Sequence, residues 1–202
     1  MRISTNTAQD RQLRRTVILV AALNCAYFVI EFAVGLAIGS VSLFADSVDF
    51  LEDASVNLLI AVALGWSRRS RARLGMVLAL ILLLPATAGL WTAWQKLMTL
   101  APPAALPLTL TGLGALAVNL SCALMLARFR DHRGSLTRAA FLSARNDAIA
   151  NIAIIAAGAI TAYVWRSAWP DLIVGVGIAI INADAAREVW QAAHEEHRTA
   201  HS

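Results

Sequence analysis

The sequence predicts an all-α membrane protein with six transmembrane helices and both termini in the cytoplasm. Composition is the first reason. The 202 residues are 58% hydrophobic and only 15% charged, with a mean hydropathy of +0.63. Soluble domains average about 25% charged and about 45–50% apolar residues, so this balance disfavours a soluble domain and excludes disorder. The second reason is length. The apolar residues fall into six runs, each close to the roughly 20 residues that cross a bilayer as a helix. The third is that the bases gather in alternate connections, as cytoplasmic loops do. They account for the net charge of +4, so no nucleic-acid partner is expected.

Residues 1–15 are polar and carry Arg2, Arg11, Arg14 and Arg15; they read as a cytoplasmic segment. The run from Thr16 to about Ile38 is too long for the apolar part of a signal peptide and reads as the first membrane helix. Gly39-Ser40-Val41-Ser42 reads as a tight turn. The second helix runs from about Leu43 to Trp66, and the third from about Leu74 to Leu97. A Pro-rich stretch at 101–107 interrupts the chain. The fourth helix covers about Leu108 to Phe129 and the fifth about Leu136 to Val164, over-length and therefore tilted. Trp169-Pro170 opens the sixth, with Pro170 suited to a first helical turn, and that helix ends near Trp190. The six-helix transmembrane domain is thus 16–190, followed by a short polar tail at 191–202 with His194, His197 and His201.

Orientation follows from the bases. The N-terminal arginines, Arg68, Arg69, Arg71 and Arg73 after the second helix, and Arg128, Arg130, Arg133 and Arg138 around the fourth connection all fall on one side, with Arg187 and Arg198. The other side has Lys96 and Arg166. Trp66 and Trp190 fall at the inner ends, and Trp91, Trp94, Trp165 and Trp169 at the outer ends, where indole rings anchor helices. Cys25 and Cys122 lie in apolar runs without a paired motif and read as small buried residues. His132 and the tail histidines lie outside the helices and read as solvated.

Six of the chain's 13 acids fall inside helices one, two and five: Glu31, Asp46, Asp49, Glu52, Asp53 and Asp147. A charge at the centre of a membrane helix costs roughly 2.5–3.5 kcal/mol on insertion scales, so these acids call for a function. Asp46, Asp49 and Asp53 share one helical face, and Asn57 extends it. Asp53 and Asp147 each lie about 15 Å from a helix end, near the middle of the bilayer. Ser143 and Asn151 flank Asp147 by one turn on either side. Helices two and five can therefore present three carboxylates and a hydroxyl at one depth. Like charges so close need neutralising, by protons or by a divalent cation. Carboxylates take either, which points to a metal–proton exchanger. Asp46 reads either as a helix-start acid favoured by the dipole or as part of an access pathway. Asn24 and Glu31 share one face of helix one and read as an interhelical hydrogen-bonding pair. Glu52 lies off the Asp49–Asp53 line and is expected to pair elsewhere.

Several stretches then resemble the cation diffusion facilitator, or cation efflux, family. Residues 24–59, NCAYFVIEFAVGLAIGSVSLFADSVDFLEDASVNLL, resemble its first two helices: an Asn, a Glu, a Gly-Ser turn, then Ala-Asp and an acid four residues before Asp. ALAVNLSCALML at 115–126, SARNDAIANIAIIAAG at 143–158 and WPDLIVGVGIAIINADAA at 169–186 resemble helices four, five and six. The Ala-Asp-x-x-Asp-x-x-x-Asp stretch after Gly-Ser is the specific part. The resemblance implies a six-helix, proton-coupled exporter of divalent transition metals, with no resident cofactor and no catalysis. Carried over, the tetrahedral ligand positions are Asp49, Asp53, Ser143 and Asp147. The family usually has an imidazole or carboxylate where this chain has Ser143. A hydroxyl is a poor zinc ligand, so the expectation moves toward Mn²⁺ or Fe²⁺, or toward loose selectivity over Zn²⁺, Mn²⁺, Fe²⁺, Co²⁺, Ni²⁺ and Cd²⁺. Asn146 or Asn151 could supply a replacement oxygen, and Arg145 could compensate Glu52 or Glu31.

Many family members carry a cytosolic dimerisation domain after helix six. Here about a dozen residues follow, so a short form is expected, a homodimer built through its membrane helices. The expected location is the plasma membrane, the inner membrane of a bacterium, with lipid and metal ions as partners. Two other readings compete: a non-transporting adaptor or degenerate paralogue, and a metal-dependent membrane phosphotransferase. The latter chemistry uses an Asp-Gly-x-x-Ala-Arg element, and no Asp-Gly occurs in the chain.

Overall fold

The computed structural model describes residues 3–63, 87, 89–129 and 135–181. They form six helices and no strand. Helix α1 is Ile3–Ile38 and α2 is Val41–Ala63. Helix α3 covers 89–99. Helices α4 and α5 are Ala105–Ala127 and Ser135–Tyr163, and α6 is Trp169–Ile181. The basic connections 64–73 and 130–134, Trp66, Trp190, His132 and the tail histidines lie outside the described residues.

Helix α1 begins well before Thr16. No Gly or Pro interrupts 3–15, and Leu13 continues the apolar stripe of Val17 and Val20 into the core. The helix stops at Gly39, whose φ of +62° suits a residue without Cβ. Ser40 N–H then bonds back to the Gly35 carbonyl at 3.0 Å. The turn is therefore shorter than the expected 39–42, and Val41 is already helical. The Pro-rich break is shorter too: Pro107 lies in the first turn of α4, where its missing N–H costs nothing. Pro170 lies in the first turn of α6.

The start of α2 leaves no early donor unpaired. Ser40 caps it, accepting from Leu43 N–H through its hydroxyl at 3.2 Å. Val41 and Ser42 N–H groups bond to the Asp171 carboxylate of α6 at 2.8 and 3.2 Å.

Helices α1, α2, α5 and α4 pack in a ring, each against the next. Small residues let α4 and α5 approach closely. A Cβ on Gly112 would sit 3.1 Å from Ile155 Cγ1, and one on Gly158 would run into the Thr109 side chain. Two apolar layers close the ring. One holds Leu13, Val17, Ile60, Cys122, Leu126 and Ala144; the other holds Leu43, Leu108, Ile154 and Ile178. The acids and amides lie between these layers.

Among the described residues, three helical stretches are long and apolar enough to cross a membrane: Arg11–Ile38, Ala105–Ala127 and Ser143–Tyr163. Helix α2 has 23 residues, about 35 Å of rise at 1.5 Å each. Its four acids, not its length, set it apart. Leu110, Leu113, Leu120 and Leu124 of α4 and Val29, Ile30 and Leu36 of α1 face outward, which suits lipid and not water. Trp91, Trp94, Trp165 and Trp169 are also exposed.

Candidate metal centre

The α2–α5 seam gathers the charged residues. Asp49 and Asp53 are 8% and 4% exposed. Ser143 of α5 donates its hydroxyl to Asp53 Oδ1 at 2.8 Å, tying the two helices together. Asp147, one turn along α5, stands near Asp53. Asp49 and Asp147 both line a cavity of about 440 Å³, together with Asn146, Ala150, Ala153, Val174 and Ile178. The cavity is thus polar where α2 and α5 meet and apolar along α6.

The four positions predicted as ligands are therefore neighbours along the α2–α5 seam. They are not closed into a coordination sphere. Among the described residues, no three His, Cys, Asp or Glu side chains stand in an arrangement that could hold a metal ion. Ser143 and Asp53 instead meet in a hydrogen bond.

A second polar group sits one turn away. Asp46 is fully buried and accepts a hydrogen bond from Asn151 Nδ2 of α5. Asn151 in turn accepts from Asn119 Nδ2 of α4 at 3.1 Å. Asp46 is thus no helix-start acid; it anchors a chain of amides across three helices. Glu31, also fully buried, lies beside Asp46. Neither Glu31 oxygen has a hydrogen-bond donor, and neither does Asp46 Oδ1. The Asn24 amide is buried without a hydrogen bond as well, so neither Asn24 nor Glu31 makes the interhelical hydrogen bond that their shared face suggests. Asn57 donates back to the Asp53 carbonyl at 2.9 Å within α2. Asn146 is exposed and accepts from Arg145 at 3.3 Å, so Arg145 bonds its neighbour and not Glu52 or Glu31.

The sequence reading did not single out Asn119 or Asp171. Each had a signal: an Asn inside the apolar run of helix four, and an Asp immediately after the Trp-Pro that starts helix six. The pattern of acids on α2 masked both.

A family model of the cation efflux transmembrane domain matches residues 17–193. The chain belongs to the cation efflux family. The match extends through all six helices and agrees with the resemblance drawn from residues 24–59, 115–126, 143–158 and 169–186. It points to a membrane transporter and away from an enzyme, which sets the phosphotransferase reading aside. A curated relative, the zinc transporter ZitB of Pectobacterium atrosepticum, is 26% identical over 192 residues, covering 89% of this chain and 59% of its own length. The chain thus spans about three-fifths of the curated relative it matches.

Proposed function

We propose that the chain exports divalent transition-metal cations in exchange for protons, through Asp49, Asp53, Ser143 and Asp147. The observation that carries this reading is the meeting of α2 and α5 carboxylates at one buried cavity, with Ser143 already bonded across the seam. In a family of cation transporters, a group of buried acids that can take either protons or a divalent cation is a natural exchange site. A cation arriving at the cavity draws Asp49, Asp53 and Asp147 onto itself and displaces their protons. Proton return from the opposite side releases it. The gradient drives the helices between the two arrangements.

The oxygen-only set favours harder or borderline ions over strict zinc selectivity. The relative's name supports zinc within the range, and Mn²⁺, Fe²⁺, Co²⁺, Ni²⁺ and Cd²⁺ are the others to test. Asn146 and Asn151 support the site from α5, Asp46 and Asn57 from α2, and Asn24 and Glu31 from α1. Residues 16–190 form the transport unit, flanked by cytoplasmic segments, in the plasma membrane of a bacterium. Two copies pair through their membrane helices. The test is metal tolerance in cells. Asp53→Ala or Asp147→Ala abolishes export while the protein still inserts; tolerance retained in either variant would overturn the site assignment.

A further inference from the structure

Asp171 stands outside the candidate metal centre. It is fully buried, and the four groups that donate to it belong to the start of α2. Ser40 and Ser42 hydroxyls each donate to Oδ1 at 2.6 Å. Ser42 N–H donates to Oδ1 at 3.2 Å and Val41 N–H to Oδ2 at 2.8 Å. The carboxylate also sits at the positive end of the α2 dipole. One turn further along α6, Gly175 touches the same place: a Cβ there would stand 2.8 Å from Ser42 N and Val41 C. Val41 packs with Ala168 and Leu172 in a small apolar cluster. Lys96 of α3, 5% exposed, reaches the same corner, near Asp171 and about 3.8 Å from the Cβ position of Gly39. Below this corner the relation changes. From Val174 to Ile181, α6 borders the cavity that Asp49 and Asp147 share.

We propose that Asp171 is a positioning residue that pins α6 to the N-terminus of α2, forming a fixed pivot at one end of the cavity. The pin stays closed while the α5–α6 seam beside the carboxylates opens and shuts. Three physical points carry this. Hydrogen bonds to a carboxylate are about twice as strong as neutral ones, and four converge here. Breaking them would leave two backbone donors and a buried charge without partners, which is costly in an apolar environment. The cavity side of α6, by contrast, offers only aliphatic side chains and Gly177, which can slide at little cost. The inference takes the transport reading as its background, but its first test does not depend on it.

Cys25 and Cys122 are first replaced by Ser and Ala. Val41→Cys with Leu172→Cys then reports the pin, and Ala150→Cys with Ile178→Cys reports the cavity seam. Both pairs are treated in membranes with a short bis-methanethiosulfonate cross-linker, with and without Zn²⁺, at pH 6 and pH 8. The expected result is a pin yield that stays constant, while the seam yield changes at least twofold. A pin yield that varies as much as the seam yield overturns the pivot. Adding Asp171→Ala makes the pin yield fall and become dependent on conditions; an unchanged yield there overturns the role of Asp171. In vesicles, Asp171→Ala lowers the maximal metal flux at least tenfold with the half-saturating metal concentration within twofold of wild type. Asp171→Asn, whose oxygen can keep the three Oδ1 bonds, falls between. A wild-type protein that moves no metal fails the transport reading alone and leaves the cross-linking result to decide the pivot.

Discussion

Replacing Ser143 by histidine changes the one proposed ligand at which this chain departs from those the family resemblance implies. The hydroxyl stands 2.8 Å from Asp53 Oδ1. Two ligands on one tetrahedral zinc, each at roughly 2.1 Å, stand about 3.4 Å apart. Loading therefore breaks the Ser143–Asp53 hydrogen bond and spreads the pair by about 0.6 Å. A hydrogen bond to a charged group is worth about 1.5–3 kcal/mol, which corresponds to a penalty of about 10- to 100-fold on metal affinity. The serine thus opposes loading and offers only a weak ligand in return. Ser143→His substitutes a neutral imidazole nitrogen that suits zinc and suits Mn²⁺ much less. Calorimetric titration of the purified protein in nanodiscs should show Zn²⁺ binding tightened by about 10- to 100-fold, with Mn²⁺ changed by less than about threefold. Folded Ser143→His protein that binds Zn²⁺ no tighter than wild type, or that tightens both ions equally, would refute the reasoning.

Asn151→Ala removes the donor to Asp46 and the acceptor of Asn119 together. Orphaned buried polar groups cost about 1–3 kcal/mol each, so thermal unfolding in detergent should move down by several degrees; an unchanged midpoint would show that the amide chain carries no load. Gly158→Val places side-chain atoms where Thr109 now lies, and should separate α4 from α5 and reduce the yield of folded protein, as judged by size-exclusion profile. Acidifying the loading side should raise the half-saturating metal concentration, because protons and metal compete for Asp49, Asp53 and Asp147. A flat dependence between pH 5.5 and 7.5 would mean that the cation enters without displacing protons.

The six-helix plan was legible because apolar run length is set by the bilayer and survives in a single sequence. The i, i+3, i+7 spacing of Asp46, Asp49 and Asp53 placed them on one face, and α5 answers with Ser143, Asp147 and Asn151. Which residues met across the seam was less legible. Helical periodicity gives a face but not a partner, so Asp46 was left between two roles until Asn151 was seen to hold it. A shared face likewise suggested that Asn24 and Glu31 bond to neighbouring helices, yet neither side chain finds a hydrogen-bond partner there. The start of α1 was misjudged because polarity was taken to mark the end of a helix. Polarity marks the end of an apolar environment, and a helix continues through it when nothing breaks the backbone. Asp171 was overlooked because its partners are 129–131 residues away in sequence, and no local pattern carries that information.

The most direct test of the central claim is transport by protein reconstituted in vesicles under a pH gradient, scanning Zn²⁺, Mn²⁺, Fe²⁺, Co²⁺, Ni²⁺ and Cd²⁺. The proposed exchange predicts proton movement driven by at least one of these ions and lost in Asp53→Ala. Folded wild-type protein that moves no protons with any ion, or Asp53→Ala protein that still does, would contradict it.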